Sequence, residues 1–160
     1  MADVELVSGY VPGAIGRVAE LHGTYYHRHW KFDLFFEAKV ATELAAFLGR
    51  YEPERDGFWT ASLGGRIEGS ITIDGLHAGD EGAHLRWFIM SDALRGKGTA
   101  VDFCRSRRYR RVYLWTFAGL EVARYLYESA GFRLVEHRRG AQWGTEVEEQ
   151  RYELSVRDAS

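Results

Sequence analysis

The sequence has one cysteine, two prolines and no long hydrophobic run. The lone thiol, Cys104, excludes an internal disulfide framework and is typical of proteins from a reducing compartment. No apolar stretch approaches the ~20 residues that a membrane-spanning helix needs, and the first residues lack the basic and then apolar regions of a signal peptide. These absences predict a cytoplasmic protein with no membrane partner.

A strong charge of one sign is also missing. The chain carries 21 Lys and Arg against 23 Asp and Glu, a formal net charge of −2, which offers no general attraction to nucleic acid. A basic run spans residues 105–111, but it joins a predicted helix to a predicted strand, and we interpret it as a solvated helix end. His27 and His29 form a short pair with no cysteine or carboxylate at a recognised ligand spacing. We therefore expect neither a nucleic-acid partner nor a metal.

What is present is typical of one globular domain. Hydrophobic residues make up 46% and charged residues 28% of the 160 positions, and a chain of this length can bury a substantial core. No internal repeat, linker or low-complexity segment interrupts it. We therefore treat residues 1–160 as a single domain.

Hydrophobic periodicity divides this domain into helices and strands. Apolar residues spaced by three and four predict helices over residues 15–25 and 32–48, with Gly49 as a C-terminal cap. Gly64 and Gly65 predict a tight hairpin turn, because glycine accepts positive φ angles. Alternating or continuous apolar runs predict strands over residues 4–7, 58–63, 66–73, 83–90, 112–117, 132–136 and 147–154.

A glycine-rich segment follows the strand over residues 83–90 and opens a helix. The segment is Arg95-Gly96-Lys97-Gly98-Thr99-Ala100. Its glycines let the backbone approach a ligand, its N–H groups and the helix N-terminus attract anions, and its two cations add charge. This combination predicts a ligand that carries phosphates.

The spacing of the glycines separates this segment from two common phosphate loops. A P-loop ends in Lys-Ser or Lys-Thr after a longer gap, and a dinucleotide fingerprint needs a third glycine and a later acidic residue. The pattern Arg/Gln-x-x-Gly-x-Gly/Ala, met here by Arg95 to Ala100, resembles the acetyl-CoA loop of the GNAT (GCN5-related) N-acetyltransferases.

A second motif strengthens that resemblance. After the predicted strand over residues 112–117 come Ala123, Leu126-Tyr127 and Gly131-Phe132, which match the GNAT pattern Ala-x-x-Leu-Tyr-x-x-x-Gly-Phe. The N-terminal Tyr25-Tyr26-x-x-x-Trp30-x-Phe32-Asp33 and the C-terminal tail are most similar to acetyltransferase domains often fused to MarR-type regulators. The resemblance implies an α/β (α+β) fold: a mixed, mostly antiparallel sheet of about seven strands, flanked by four helices, with a splayed parallel pair at the cofactor site.

The resemblance also implies an activity. It is acetyl-CoA-dependent transfer of an acetyl group to a primary amine of a small molecule or protein, with no metal. In the family, backbone groups of the central strand hold the cofactor, which here implies Phe88, Ile89 and Met90 together with residues 95–100. The sequence departs from the family after Ala100, where about two helical turns are missing. A non-catalytic acyl-CoA-binding module of the same fold, and a homodimer, therefore stay open.

Two residues are candidates for the proton transfers. Tyr127 lies four residues before Gly131, the position of the tyrosine with which many family members protonate the leaving thiolate; the alternative is a helix tyrosine that packs in the core. His84 lies where some members place a catalytic glutamate, and its unperturbed pKa of about 6.5 suits a base. The alternative is that His84 is a strand-edge residue and water carries the proton.

The acceptor pocket has four aromatic candidates. Tyr25, Tyr26, His29 and Trp30 lie where the first two helices of such folds line that pocket. An aromatic cluster that merely covers the core fits them equally well. In such folds the last two strands form one wall of the pocket, so the loop between them over residues 140–144, which contains Trp143, is a further candidate. Leu120 stands where many members carry an asparagine that contacts the cofactor.

Overall fold

The computed structural model describes residues 4–89 and 96–156, with the backbone alone for residues 96–98. Within these ranges the chain forms seven strands and four helices. They are β1 (Val4–Ser8), α1 (Ala14–Trp30), α2 (Leu34–Gly49), β2 (Gly57–Leu63), β3 (Arg66–Asp74), β4 (Ala83–Ile89), α3 (Gly96–Ser106), β5 (Arg111–Phe117), α4 (Glu121–Ser129), β6 (Arg133–Gly140) and β7 (Val147–Ser155).

The strands form one sheet in the order β1-β2-β3-β4-β5-β7-β6. Neighbouring strands are antiparallel except β4 and β5, which are parallel. The predicted fold is therefore confirmed, including the parallel pair. Helix α3 makes the crossover between these two strands with only 11 residues, a rise of about 16 Å, which is long enough to return along a short strand.

Helices α1 and α2 cover one face of the sheet. Val18 of α1 and Leu44 of α2 are fully buried and pack with Phe58 of β2. The spacing of the buried residues in α2, at Phe36, Val40, Leu44 and Phe47, is the apolar stripe of an amphipathic helix. The periodicity thus predicted both helices correctly, although α1 runs five residues further, to Trp30.

Helix α3 covers the opposite face. Its Ala100 and Cys104 are fully buried against Trp59 and Ile73, whose side chains leave the strands on the side away from Phe58. Alternation along β2 and β3 therefore supplies both layers of the core. The sheet therefore lies between two layers of helices.

Three local features refine the predicted boundaries. Gly64 and Gly65 have φ angles of 61° and 80°, which confirms the tight hairpin. Gly49 was a wrong prediction as a cap: it is the last residue of α2, Arg50 occupies the C-cap, and Gly49 is not among the residues with positive φ. Strand β6 continues to Gly140 because it pairs with β7 along that whole length.

None of the helices in residues 4–89 and 96–156 is both long and apolar enough to cross a membrane.

Candidate active site

The candidate site is a cavity where β4 and β5 separate. The parallel pairing consists of Ala83 with Val112 and His84 with Tyr113 and extends no further among the described residues. Beyond it, residues 85–88 of β4 and 114–117 of β5 line the cavity, and α1, α2, α4 and the β6–β7 loop close it. The backbone of β4 therefore loses its β5 partner at the cavity, as predicted for a splayed pair.

A bulge in β4 lies at the same place. The register with β3 shifts between Thr72, opposite Arg86, and Ser70, opposite Ile89. Trp87 within this bulge has a φ of 46°, the left-handed region that a bulky residue rarely adopts. The hydroxyl of Ser70 donates a 2.7 Å hydrogen bond to the Trp87 carbonyl and holds the bulge. The bulge changes the direction of the strand just before Phe88 and Ile89.

Tyr127 reaches the cavity from α4. Its ring packs against Phe88, with 6.0 Å between centroids, and against Phe132 and Tyr152. Burial, and the charge of Tyr152 when that residue ionises, raise the pKa of Tyr127 well above its ordinary value. Within the described part of the chain no hydrogen bond engages its hydroxyl. Tyr127 is thus a protonated phenol throughout the neutral range, and it lies at the cavity.

His84 lies at the last residue pair before the strands separate. Its ring stacks on Tyr113 at 4.5 Å, and it lines the cavity. Burial and the positive charges of Arg86 and Arg151 lower its pKa to about 3, against the opposing charge of Asp74. His84 is therefore neutral at pH 7 and is a weaker base than an exposed histidine. The sequence predicted its location but could not predict this environment.

Of the four aromatic candidates, Tyr26 lines the cavity, and burial raises its pKa above its ordinary value. Tyr25 and His29 are exposed and lie outside it; Tyr25 contacts Tyr26 edge-on at 5.1 Å. Trp30 packs on Phe117 from outside the cavity, at 5.0 Å. Tyr26 is therefore the member of this group placed to touch a ligand in the cavity, and Trp30 supports the wall.

Charged residues that the sequence did not single out also line the cavity. Arg86 donates a 2.6 Å hydrogen bond to Glu43, and Lys39 lies 2.7 Å from the other oxygen of the same carboxylate. Lys39 and Glu43 are neighbours on α2 because they are four residues apart, whereas Arg86 comes from β4. No local motif marked a cluster that tertiary packing assembles.

The β6–β7 loop contributes Gln142 and Trp143 to the cavity wall. Another residue that the sequence missed is His22 of α1. Its Nδ1–H donates to the Val18 carbonyl at 2.8 Å, and burial lowers its pKa to about 4. His22 is therefore neutral and lines the cavity beside Tyr26.

The predicted phosphate segment is covered in part by the structure. Met90 and Arg95 lie outside the described residues. Helix α3 already begins at Gly96, so the backbone of Gly96, Lys97 and Gly98 forms its first turn. Thr99 follows, and fully buried Ala100 anchors this end of the helix to the sheet.

No group of three or more His, Cys, Asp or Glu side chains suited to a metal ion occurs in the described segments.

Comparison with known proteins gives one matching family model. The model is the Acetyltransferase (GNAT) family, and it matches residues 17–132, which contain the cavity strands and α4. Among curated proteins, an N-acetylaspartate synthetase from Danio rerio is 29% identical over 119 residues, and that from Homo sapiens is 30% identical over 117. These alignments cover 69% and 68% of this chain but 42% and 38% of the relatives. The chain thus spans about two fifths of the length of these relatives.

Solved structures share the fold over nearly the whole chain. An acetyltransferase from Streptococcus agalactiae superposes with a TM-score of 0.72 at 17% identity, covering 96% of this chain and 98% of that one. A spermidine N-acetyltransferase from Vibrio cholerae, in complex with CoA and spermine, gives 0.67 at 14% identity, covering 96% and 95%. At these identities the likeness concerns the fold.

Proposed function

This chain belongs to the GNAT family of acetyltransferases, and from that premise we propose that it transfers the acetyl group of acetyl-CoA directly to a primary amine. One observation carries the proposal: where β4 and β5 separate, Tyr127 and His84 line the same cavity, beside the edge of β4 that has no β5 partner among the described residues. That arrangement offers a proton donor, a proton acceptor and backbone groups at one place. Acyl transfer to an amine needs all three.

The residues present fit acetyl-CoA. From Leu85 onward β4 has no β5 partner in the described part of the chain, so the backbone of Phe88 and Ile89 would hold the cofactor at the bulge. The first turn of α3, at residues 96–98, is a helix N-terminus of the kind that binds phosphate. Met90 and Arg95 belong to the same proposed site. When bound there, acetyl-CoA supplies a thioester carbon as the electrophile.

The side chains would then move protons. The amine nitrogen attacks as a neutral group, the C–N bond forms, and the C–S bond breaks. The proton leaving the nitrogen passes to His84, directly or through water, and the Tyr127 hydroxyl donates its proton to the leaving sulfur. Tyr127 then recovers a proton from solvent, and His84 releases to solvent the proton that it accepted. The products are an amide and free CoA thiol, so atoms and charges balance.

The low pKa of His84 limits when it can act. A neutral imidazole with a pKa of about 3 cannot compete for the proton of a free ammonium ion. It can accept a hydrogen bond from a neutral amine, and it can take the proton once the forming C–N bond makes the nitrogen acidic. The nearby Arg86 and Lys39 help at the first step, because positive charge lowers the pKa of an amine in the cavity.

The relatives do not indicate which amine accepts the acetyl group. The names of the curated relatives indicate formation of N-acetylaspartate, whereas the Vibrio cholerae protein acts on spermidine. These acceptors carry opposite net charges. The proposal is therefore an amine of a small molecule or protein that enters the cavity near Tyr26, with Tyr25, His29 and Trp30 forming or supporting its rim.

We also propose that residues 1–160 form one domain, that the protein acts in the cytoplasm, and that it can pair as a homodimer.

The test is thiol release from acetyl-CoA across a panel of amines and peptides, with calorimetry of cofactor binding. We expect acetyl-CoA to bind, NAD not to compete, and at least one amine to be acetylated. Gly98→Asp, which places a carboxylate in the first turn of α3, should abolish binding in a folded protein. Tight binding without turnover on any amine would contradict catalysis and favour an acyl-CoA-binding module, the function that the short α3 would suit. Unchanged affinity in Gly98→Asp would contradict the phosphate site.

A further inference from the structure

The cavity contains more positive than negative charge. Its ionised side chains in the described residues are Lys39, Glu43 and Arg86. The two cations occupy both oxygens of Glu43, at 2.7 Å from Lys39 and 2.6 Å from Arg86. His22 and His84 also line the cavity, and both are neutral at pH 7. A ligand in this cavity therefore meets two cations against one carboxylate that is already paired.

A second carboxylate, Asp74, does not cancel this charge. Asp74 lies 3.3 Å from Arg86, but Arg50 binds both of its oxygens, at 3.2 and 2.6 Å. Asp74 is buried and does not line the cavity. Arg50 and Arg86 share the charge of Asp74, so Lys39, Arg50 and Arg86 together exceed Glu43 and Asp74 by one positive charge.

The guanidinium of Arg86 has an orientation that suits a planar anion. Its guanidinium lies over the ring of Trp87, with 4.1 Å to the centroid, and the hydrogen bonds to Asp74 and Glu43 fix its orientation. These bonds leave other N–H groups of the guanidinium without a partner in the described segments. A guanidinium with a fixed orientation and unused N–H donors is suited to bind a carboxylate.

We infer that the acceptor amine also carries a carboxylate, as an amino acid does. Arg86 and Lys39 bind that carboxylate, which replaces part of their contacts with Glu43. The inference rests on the proposed function and narrows its acceptor class. A polyamine is a poorer acceptor, because the two cations would repel its additional ammonium groups. Glu43 would not offset this repulsion, since its carboxylate is already paired with both cations. An acceptor with one carboxylate close to its amine would place the amine along β4 toward Phe88.

The experiment compares matched pairs of acceptors, each pair an amino acid and the amine left when its carboxylate is removed. The pairs are assayed with the wild-type protein, Lys39→Gln and Lys39→Glu. Lys39 has a third of its side chain exposed, so these variants should fold. Arg66→Gln, a charge removal at an exposed position outside the cavity, is the control. Arg86→Gln extends the series if it folds without its contact to Asp74.

We expect kcat/KM to favour the carboxylate-bearing member of each pair. Lys39→Gln should lower kcat/KM for that member roughly 10- to 100-fold more than for the other member, the loss expected for one hydrogen bond to a charged group; a loss common to both members would reflect the positive charge that lowers the pKa of the amine. Lys39→Glu should reverse the preference, and Arg66→Gln should match the wild type. The inference is wrong if the wild-type protein has equal kcat/KM values for the two members of each pair, or if Lys39→Glu does not alter the preference. In either case, formation of an amide would still support the proposed function.

A binding measurement separates this inference from catalysis. The carboxylate-bearing acceptor is titrated calorimetrically into protein saturated with CoA, where no acetyl group is available and no reaction occurs. Binding that Lys39→Glu abolishes supports the inference even if turnover fails. Absence of binding to the wild type, or equal binding to Lys39→Glu, overturns it.

Discussion

The carboxylate of Glu149 accepts two hydrogen bonds from Gln142, one from its backbone N–H at 3.0 Å and one from its side-chain amide at 2.9 Å. Glu149 lies on β7 and is 1% exposed. It also accepts a 3.0 Å hydrogen bond from Arg138, whose guanidinium lies over Trp115. Gln142 and Trp115 line the cavity, so this buried carboxylate ties two parts of the cavity wall together.

The first prediction concerns that carboxylate. In Glu149→Gln an NH₂ group replaces one carboxylate oxygen. Because an amide nitrogen cannot accept a hydrogen bond, at least one of the bonds from Arg138 and Gln142 is lost. We expect a loss of stability of about 1–3 kcal/mol, a higher KM for the acceptor and unchanged acetyl-CoA affinity, measured by thermal unfolding, steady-state kinetics and calorimetry. Glu146→Gln is the matched control, because Glu146 lies in the adjoining β6–β7 loop but is exposed and pairs with Arg139. An unchanged acceptor KM in Glu149→Gln would show that the loop is positioned by other contacts.

The second prediction concerns the proton donor. Tyr127→Phe removes the hydroxyl but keeps the ring that packs on Phe88, so the fold and acetyl-CoA affinity should be preserved. Loss of a positioned acid lowers rates by ~10²–10⁴, and we expect kcat to fall by at least the smaller of these. Tyr125→Phe, on the same helix but 70% exposed, should keep the wild-type kcat. If Tyr127→Phe also keeps it, water protonates the thiolate.

The third prediction concerns the proton acceptor. His84→Ala should lower kcat by at least ~10²-fold, with acetyl-CoA affinity intact. Because a pKa of about 3 keeps His84 neutral above about pH 5, the shape of the pH profile of turnover in that range should stay the same. If the rate is retained, the proton leaves by another route. Glu81 is then the next residue to replace, because its carboxylate accepts a 3.3 Å hydrogen bond from Tyr113, the residue on which His84 stacks.

The fourth prediction is a loss of stability in mild acid. The pKa of His22 falls from 6.5 to about 4 on folding, and that of His84 to about 3. Below pH 6.5 the unfolded chain therefore binds protons that the folded protein does not, and stability must decrease as pH falls toward these lowered values. The slope should reach about 1.4 kcal/mol per pH unit for each histidine.

Urea unfolding between pH 7 and pH 5 measures this slope. His22→Gln should reduce it by about half, whereas His77→Gln, at an exposed position, should leave it unchanged. Asp74 and Glu149 add to the slope mainly below this range. Hydrogen bonds hold the pKa of both carboxyls below the usual value against the opposing effect of burial, and in the unfolded chain these carboxyls take up protons only as the pH approaches about 4. A stability that is constant or rises from pH 7 to pH 5 would contradict the environments assigned to the two histidines.

Local patterns were sufficient for the fold and for part of the site. The apolar stripe of α2 and the alternation of β2 and β3 depend on residues close in sequence, and a motif marked Tyr127. Lys39, Glu43 and Arg86 were missed because α2 and β4 come together only through tertiary packing. The bulge at Trp87 was missed for a related reason: tryptophan gives no local sign of a positive φ, and the contact that holds it comes from Ser70 on another strand.

The most direct test of the account follows the acetyl group itself. Acetyl-CoA with an isotopic label in the acetyl group is incubated with the protein and an amino acid acceptor, and the products are identified by mass spectrometry while thiol release is recorded. The account predicts a labelled N-acetyl amide formed in step with the thiol, and a much slower rate in Tyr127→Phe. Thiol release without labelled amide, or acetyl-CoA that binds and stays intact with every amine, would contradict it.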